Sequence, residues 1–337
     1  MATYTGLDRP KGKLYYQFWS IFFVIGLCGA MALLYFATKK VEYIWRWNRV
    51  PQYFLYEEKV SIRAEMEGKI VSIDPAGADG KSVRVLVRGD EGEETHELPK
   101  ESLLLSSGDH VYAGDNIGYY THWKPGILVE GLWLTLEVSF LAIIFGIVLG
   151  LFTGLARISD NPALRWGAIT YIELIRGSPL LVQIFLWYFV VGTVINSILA
   201  QSGLGQISPL WFGVMALAIF TGAYTAEIVR AGIQSVHRGQ MEAARSLGMT
   251  YAQAMRKVIL PQAFRRILPP LAGQFISLVK DSSLLGVLSI RELTKASREV
   301  VSSSLQPFEI WIVCAILYLV LTFTLSMFVQ YLERKAI

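Results

Sequence analysis

Six long apolar stretches divide this 337-residue chain, at residues 18–36, 132–155, 169–198, 210–229, 267–290 and 308–332. A bilayer core about 30 Å thick takes about 20 residues of helix to cross, so each stretch is read as a membrane span. The first carries no charge, the second contains Glu137, the third Glu173 and Arg176, and the fifth Lys280 and Asp281. Arg9, Lys11 and Lys13 precede the first stretch. Its run is too long for the core of a signal peptide and lacks a small-residue cleavage site, so it reads as a retained anchor. Between the first two stretches the pattern changes. Residues 60–64, 69–73 and 83–87 alternate apolar and polar positions as half-buried strands do. Gly68, Gly77, Gly80, Gly89, Gly92, Gly108, Gly114 and Gly118 punctuate them as turns.

The expected organisation is an N-terminus and anchor helix at 1–40, an aromatic segment at 41–58, a small β-domain at 59–122 and a helical membrane domain at 126–335. The aromatic segment, with Arg46 and Arg49 interleaved, reads as lying in the headgroup region. Basic and aromatic residues also make base-stacking surfaces. Beside a membrane anchor the lipid reading is preferred, and no nucleic-acid partner is expected.

Composition sharpens this picture. Charged residues make up 17% of the chain, against about 25% in soluble domains. The net charge of +4 gives nucleic-acid binding no support. Cys28 and Cys314 sit in apolar runs and read as small buried hydrophobes. His96, His110, His122 and His237 have no ligand spacing, so no metal is expected. No nucleophile–base pair is recognisable and no GxxxxGK[ST] phosphate loop is present, so no catalytic residue is assigned. Residues 57–122 hold 14 acidic and 7 basic side chains, a net −7. That surface is either simply solvated or a docking face for a partner outside the membrane. Residues 66–70 and 108–115 are similar to barrel-sandwich domains that carry lipoyl or biotinyl groups. The modifiable lysine of those domains is missing, so no swinging-arm cofactor is expected.

Charge also orients the helices. Arg230, Arg238, Arg245, Arg256, Lys257, Arg265 and Arg266 face only Glu242 in the loop at 230–266. Basic loops remain in the cytoplasm. The basic link at 157–165 agrees, and the uncharged link at 196–208 belongs outside. Counting spans puts residues 39–130 in the periplasm and both termini in the cytoplasm. Lys39, Lys40, Arg46 and Arg49 oppose this locally, but the basic loop is the larger effect.

That loop reads as two short helices and a turn. Gly239 is placed to end the preceding span, residues 240–247 are good helix formers, and Gly248 suits the left-handed position after a helix. Thr250 and Gln253 make a capping box for the next helix. Pro261 stops that helix or begins another. Ala243 and Ala244 leave a small-residue face for close approach of another protein, flanked by Glu242 and Arg245.

The spacing Glu-Ala-Ala, three residues, Gly, nine residues, a hydrophobic residue, one residue, Leu-Pro resembles the EAA loop of bacterial ABC importer transmembrane subunits. It is carried here by Glu242, Ala243, Ala244, Gly248, Val258, Leu260 and Pro261, with Val258 where Ile is usual. Gly222-Ala223-Tyr224-Thr225-Ala226-Glu227, Lys280-Asp281-Ser282-Ser283-Leu284 and Arg176-Gly177-Ser178-Pro179-Leu180 narrow the resemblance to permeases for polar amino acids, over residues 126–335. The resemblance implies an all-α polytopic membrane protein: a type I ABC importer transmembrane domain of five core helices, here with an added anchor helix and a small inserted β-domain. It implies an inner-membrane permease working by alternating access and coupled to ATP through the loop at 239–261. Its partners would be a dimer of ATP-binding subunits, a second permease, a periplasmic amino-acid-binding protein, the amino acid and the bilayer. No cofactor is implied on this chain, since ATP and Mg²⁺ belong to the ATPase. ATPase coupling then falls to Glu242, Ala243, Ala244, Gly248, Leu260 and Pro261.

Ionisable groups in apolar spans usually face a polar path. The candidates for that path are Lys280, Asp281, Ser282, Glu137 and Glu227. Lys280 and Asp281 point about 100° apart on a straight helix, so either each has its own partner or the helix is irregular there. They line the path or pack between helices. Glu137 meets a substrate ammonium or reaches water at the outer rim. Residues 176–179 read as a bend.

Overall fold

A computed structural model describes residues 12–76, 81–90 and 92–336. Arg9, Lys11, Gly77 and Gly80 lie outside the described residues. Two compact units are present, one up to Trp47 and the other from Asn48 onward. The first is built on helix α1 (Lys13–Lys40). Its described apolar side chains are exposed from Leu14 to Phe36, as a lipid-facing anchor requires. Cys28 is exposed on it, which corrects the expectation of a buried thiol, whereas Cys314 is buried. Downstream, Trp45 and Trp47 stack with ring centroids 5.6 Å apart.

The second unit opens with strand β1 (Leu55–Arg63). Strands β2 (Gly68–Ala76), β3 (Ser82–Arg88), β4 (Glu93–Pro99), β5 (His110–Val111) and β6 (Asn116–Pro125) follow. β1 and β6 form an antiparallel ribbon in register from Leu55↔Pro125 to Ile62↔Gly118. The other four make a sheet in the order β4-β3-β2-β5. Val83, Val85 and Val87 turn inward from β3 and meet Ala64, Ile70, Leu98, Val111 and Ile117 in a closed core. The far end of the ribbon thus belongs to the β-domain core, and its near end is a stalk. Leu55, Tyr56, Glu57 and Glu58, assigned from sequence to the aromatic segment, are strand residues.

The stalk is fastened to the helices. Gly126 donates its N–H to the Phe54 carbonyl at 2.7 Å, and a Cβ there would strike the Tyr53 backbone. Val50, Tyr53 and Phe54 pack with Leu128, Leu293, Ile310 and Cys314.

Helix α2 (Ile127–Arg157) starts at this joint. α3 (Pro162–Arg176), α4 (Leu180–Phe185), a wide π turn (Leu186–Gly192), α5 (Thr193–Gln201) and α6 (Pro209–Gln234) follow. Next come α7 (Arg238–Ser246), α8 (Tyr251–Ala254), a second π turn (Met255–Ile259) and α9 (Leu260–Asp281). A 3-10 stretch (Ser282–Leu288), α10 (Leu293–Ser304) and α11 (Pro307–Ala336) complete the chain. Among the described residues, six helical segments are long and apolar enough to span a membrane: Lys13–Lys40, Ile127–Arg157, Leu180–Gln201, Pro209–Gln234, Tyr251–Leu288 and Pro307–Leu332.

The third span therefore differs from the sequence expectation. Residues 169–176 are not its first turns but the end of α3. Pro179 is extended at φ −64°, ψ 136° and caps α4, so the Gly177-Ser178-Pro179 link breaks the run. Glu173 and Arg176 consequently lie outside the span. The bend expected at residues 176–179 is real, and Gln183 Nε2 braces it by donating to the Ile175 and Ser178 carbonyls at 2.7 and 3.1 Å.

α2 and α6 run parallel in close contact, and glycines make this possible. Cβ atoms on Gly146, Gly150 and Gly154, four residues apart on one face, would press on α6 at Thr221, Thr225 and Val229 respectively. α9 returns antiparallel, with Ile267 beside Gly232. The bundle thus has two ends. One carries the stalk, the start of α2 and α10; the other carries α7 and the end of α6.

Candidate functional site

At the α7 end, a nine-residue helix hangs between two spans. His237 caps it by accepting from Gly239 N at 3.1 Å. Gly239 therefore starts α7 and does not end the preceding span, which stops at Gln234. Ile233, Val236, Ile259 and Ala263 form the seat under α7, with Met241 and Leu260 against it. Gly248 closes the helix at φ +80°, in the left-handed region that L side chains adopt only with strain. Arg245 donates to the Met249 carbonyl at 2.9 Å and ties the turn. The Thr250–Gln253 capping box then starts α8, with bonds of 2.9 and 3.3 Å. Pro261 does not stop the chain's helical run; it sits in the first turn of α9, the second of the two alternatives read from the sequence. It lies just past a π turn in a continuous run, and the wide turn fits a residue with no N–H to donate.

The exposed surface of this knob is not the one expected. Glu242 and Ala243 are exposed, but Ala244 is buried against the chain itself. Leu247 is 81% exposed and Tyr251 54%. An apolar tip of this kind, standing on a rigid base, fits a recess in another protein. The sequence did not single out Leu247, because Met249 flanks Gly248 equally and only the fold shows which of the two stands outward.

The path candidates do not converge. Glu227 is on α6 near the α7 end, where Arg157 pairs with one oxygen. Arg230 donates to the other at 2.9 and 3.1 Å, and Arg176 stands 4.0 Å away. This is an ion cluster that locks α2, α3 and α6 together. Lys280, Asp281 and Ser282 lie at the far end of α9, where the helix tightens to 3-10 geometry. The irregularity weighed from the sequence is present. Ser282 is buried and its hydroxyl is satisfied by the Val279 carbonyl at 2.8 Å. Among the described residues neither Lys280 nor Asp281 makes an ion pair. Glu137 is exposed on α2, about 15 Å along the helix from its start.

Lys280 lines a cavity of about 300 Å³ with Ser283, Thr294, Trp311, Cys314 and Tyr318. Behind it sits a fully buried carboxylate that sequence reading missed. Glu292 caps α10, accepting from Thr294 N at 2.7 Å and Lys295 N at 2.8 Å. It also accepts from the Tyr318 hydroxyl at 3.0 Å. Burial pushes the Glu292 carboxyl above the usual carboxylate range, and these hydrogen bonds pull it back. The spacing of Leu293, Ala296, Ser297 and Val300, all buried on α10, is the helical pattern that marks this element. Replacing Glu292 by Ala removes the cap and leaves two N–H groups unpaired, while the Tyr318 phenol keeps only Thr294 Oγ1 at 3.1 Å. The expected cost is on the order of 2 kcal/mol, read as a lower unfolding temperature of the solubilised protein.

Parallel spans packed through glycine, an antiparallel return and a capped helical knob between α6 and α9 define a polytopic transport subunit. Residues 146–337 match the family of binding-protein-dependent transport system inner membrane components, and the chain belongs to that family. It is similar to the probable glutamine ABC transporter permease GlnM of Bacillus subtilis, 44% identical over 61% of this chain and 92% of that one. It is 38% identical to the glutamine transport system permease GlnP of Escherichia coli, over 62% of this chain and 92% of the relative. A crystal structure of an amino acid ABC transporter with histidines superimposes with a TM-score of 0.55 at 44% identity, covering 62% of this chain and 94% of that chain. The chain is thus an ABC importer permease, a transport subunit and not an enzyme, and ATP hydrolysis belongs to a separate subunit.

Proposed function

We propose that this permease carries polar amino acids inward across a bacterial inner membrane, as one of two permease subunits around a shared path. The observation that carries the proposal is the α7 knob: a rigid, doubly capped helix with an exposed tip, in the middle of the most basic loop of the chain. The excess of positive charge places the α7 end in the cytoplasm. That puts the stalk and β-domain in the periplasm and both termini in the cytoplasm. An ATPase dimer then grips the two knobs through Glu242, Ala243 and Leu247, with Gly248, Leu260 and Pro261 setting their angle. A periplasmic binding protein delivers the amino acid at the opposite end. ATP binding draws the knobs together, and the α7 seat passes the movement to α6 and α9.

The glutamine permeases of Bacillus subtilis and Escherichia coli and the amino acid ABC transporter solved with histidines support the substrate class. The Lys280 cavity supports it chemically, since an ammonium beside the Thr294 and Tyr318 hydroxyls suits a carboxylate. Asp281 and Glu137 are the remaining path candidates, and Glu227 belongs to the cluster that holds the cytoplasmic end. The proposal is tested by ATP-driven uptake of a panel of labelled amino acids into proteoliposomes holding the permease, its ATPase and its binding protein. Uptake of one polar class, competed by its unlabelled member, is expected. Uptake of none of the panel would move the cargo outside the amino acids.

A further inference from the structure

The basic cluster at the α7 end does more than hold Glu227. A cavity of about 530 Å³ opens there between α6, α9 and the end of α3, and Arg176, Arg230 and Arg266 line it. Glu227 is its one carboxylate, and Arg157 and Arg230 already occupy both oxygens. Arg176 is left 4.0 Å from that carboxylate, with its guanidinium 5.3 Å from the Tyr224 ring centre. Arg266 donates to the Ser235 carbonyl and, among the described residues, has no carboxylate partner. Two guanidiniums, each with five donors, thus face one cavity with most of their hydrogen-bonding capacity unused. The neighbouring wall is apolar, from Ile228, Ala231 and Pro270. Charge on one side and hydrocarbon on the other fit an amphiphile better than a free ion.

The depth of the cavity fits as well. α3 is not a span. Its exposed residues include Leu164, Trp166 and Leu174, with Trp166 69% exposed, while Ala168 and Ile172 are buried. The Tyr171 hydroxyl donates to the Ile219 carbonyl and pins the helix across α6. An amphipathic helix with an outward Trp lies at headgroup level, and its last residue is Arg176. Basic pockets between membrane helices at that level take anionic headgroups.

We infer that this cavity binds the phosphate of an anionic phospholipid, with Arg176 and Arg266 as the paired donors and the acyl chains along the apolar wall. The lipid would brace α3 against α6 and α9 directly above the α7 seat. The test uses the permease assembled with its ATPase and extracted from nanodiscs of equal phosphatidylglycerol and phosphatidylcholine, with retained lipid identified by native mass spectrometry. The complex is expected to retain phosphatidylglycerol in preference to phosphatidylcholine. Exchanging both arginines (Arg176→Gln with Arg266→Gln) should weaken retention about thirtyfold. The Arg176→Lys and Arg266→Lys pair should keep most of it, and Arg165→Gln, on α3 outside the cavity, should keep all of it. Inorganic phosphate at millimolar concentration should not displace the lipid. Equal retention of both lipids by the unmodified complex would overturn the inference without any variant. Undiminished retention in the double Gln variant would overturn it too. Displacement by inorganic phosphate would replace the lipid with a free anion and also overturn it.

Discussion

Replacing Gly150 by Val is expected to remove the folded permease from the membrane. A Cβ at this position would lie 2.8 Å from the Gly222 carbonyl oxygen and closer still to the Thr225 side chain. The first of these is backbone in the middle of α6, which cannot move aside cheaply. Gly146 and Gly154 hold the same face above and below, so α2 cannot tilt away from α6 at one point without losing contact at the others. In a bilayer the two helices are held by close van der Waals packing and not by exclusion of water. Widening their separation therefore removes the main attraction between them. Overpacking typically costs 1–3 kcal/mol, and a rigid two-helix seam belongs at or above the top of that range, about 3 kcal/mol. The measurement is the yield of monodisperse protein after solubilisation, beside Gly167→Val as control, since an added Cβ at Gly167 meets nothing within 4 Å. A normal yield of Gly150→Val would mean that α2 and α6 are not packed as described.

The second large effect is expected at Gly248. Its φ of +80° strains any L side chain, and a β-branched one most. An added Cβ meets nothing within 4 Å, so the damage is to the backbone angle and not to packing. Relieving the strain, on the order of 1–3 kcal/mol, re-aims Leu247 and Tyr251 relative to the α7 seat. Gly248→Ile should reach the membrane in normal amount and lose most of its uptake, while the ATPase runs without responding to the binding protein. Gly248→Asn, which tolerates the left-handed region, should restore much of the coupling. Uptake at the normal rate in Gly248→Ile would exclude α7 as the coupling element.

The spans were legible because run length and hydropathy suffice where lipid is the solvent. The third misled because that criterion cannot separate an interfacial helix from the span after it. Ile169, Ile172 and Ile175 are apolar because one side of α3 packs on the bundle, not because α3 crosses the bilayer. The break was nonetheless written in Gly177-Ser178-Pro179. The strands at 60–64, 69–73 and 83–87 were visible from alternation. The pairing of β1 with β6 was not, since its partners lie about sixty residues apart and alternation in one strand does not name its partner. The α7 turn was legible in local chemistry through Gly248, Thr250 and Gln253. Its docking face was not, because whether Ala243 or Ala244 points outward depends on the seat built by α6 and α9. Glu292 was hidden for a similar reason: a carboxylate in a loop reads as solvated until Tyr318, 26 residues later, closes over it.

The most direct test of the account is ATP-dependent amino-acid uptake by proteoliposomes carrying this permease with its ATPase and binding protein, with Glu242→Lys compared against the unmodified chain. Glu242 is exposed on α7, touches no path candidate, and is the one acidic residue of the helix, so its exchange for Lys reverses the charge at that point of the knob. Uptake by the unmodified permease and its loss in Glu242→Lys are expected, with the protein still present in the membrane. Equal uptake by the two would contradict coupling through α7.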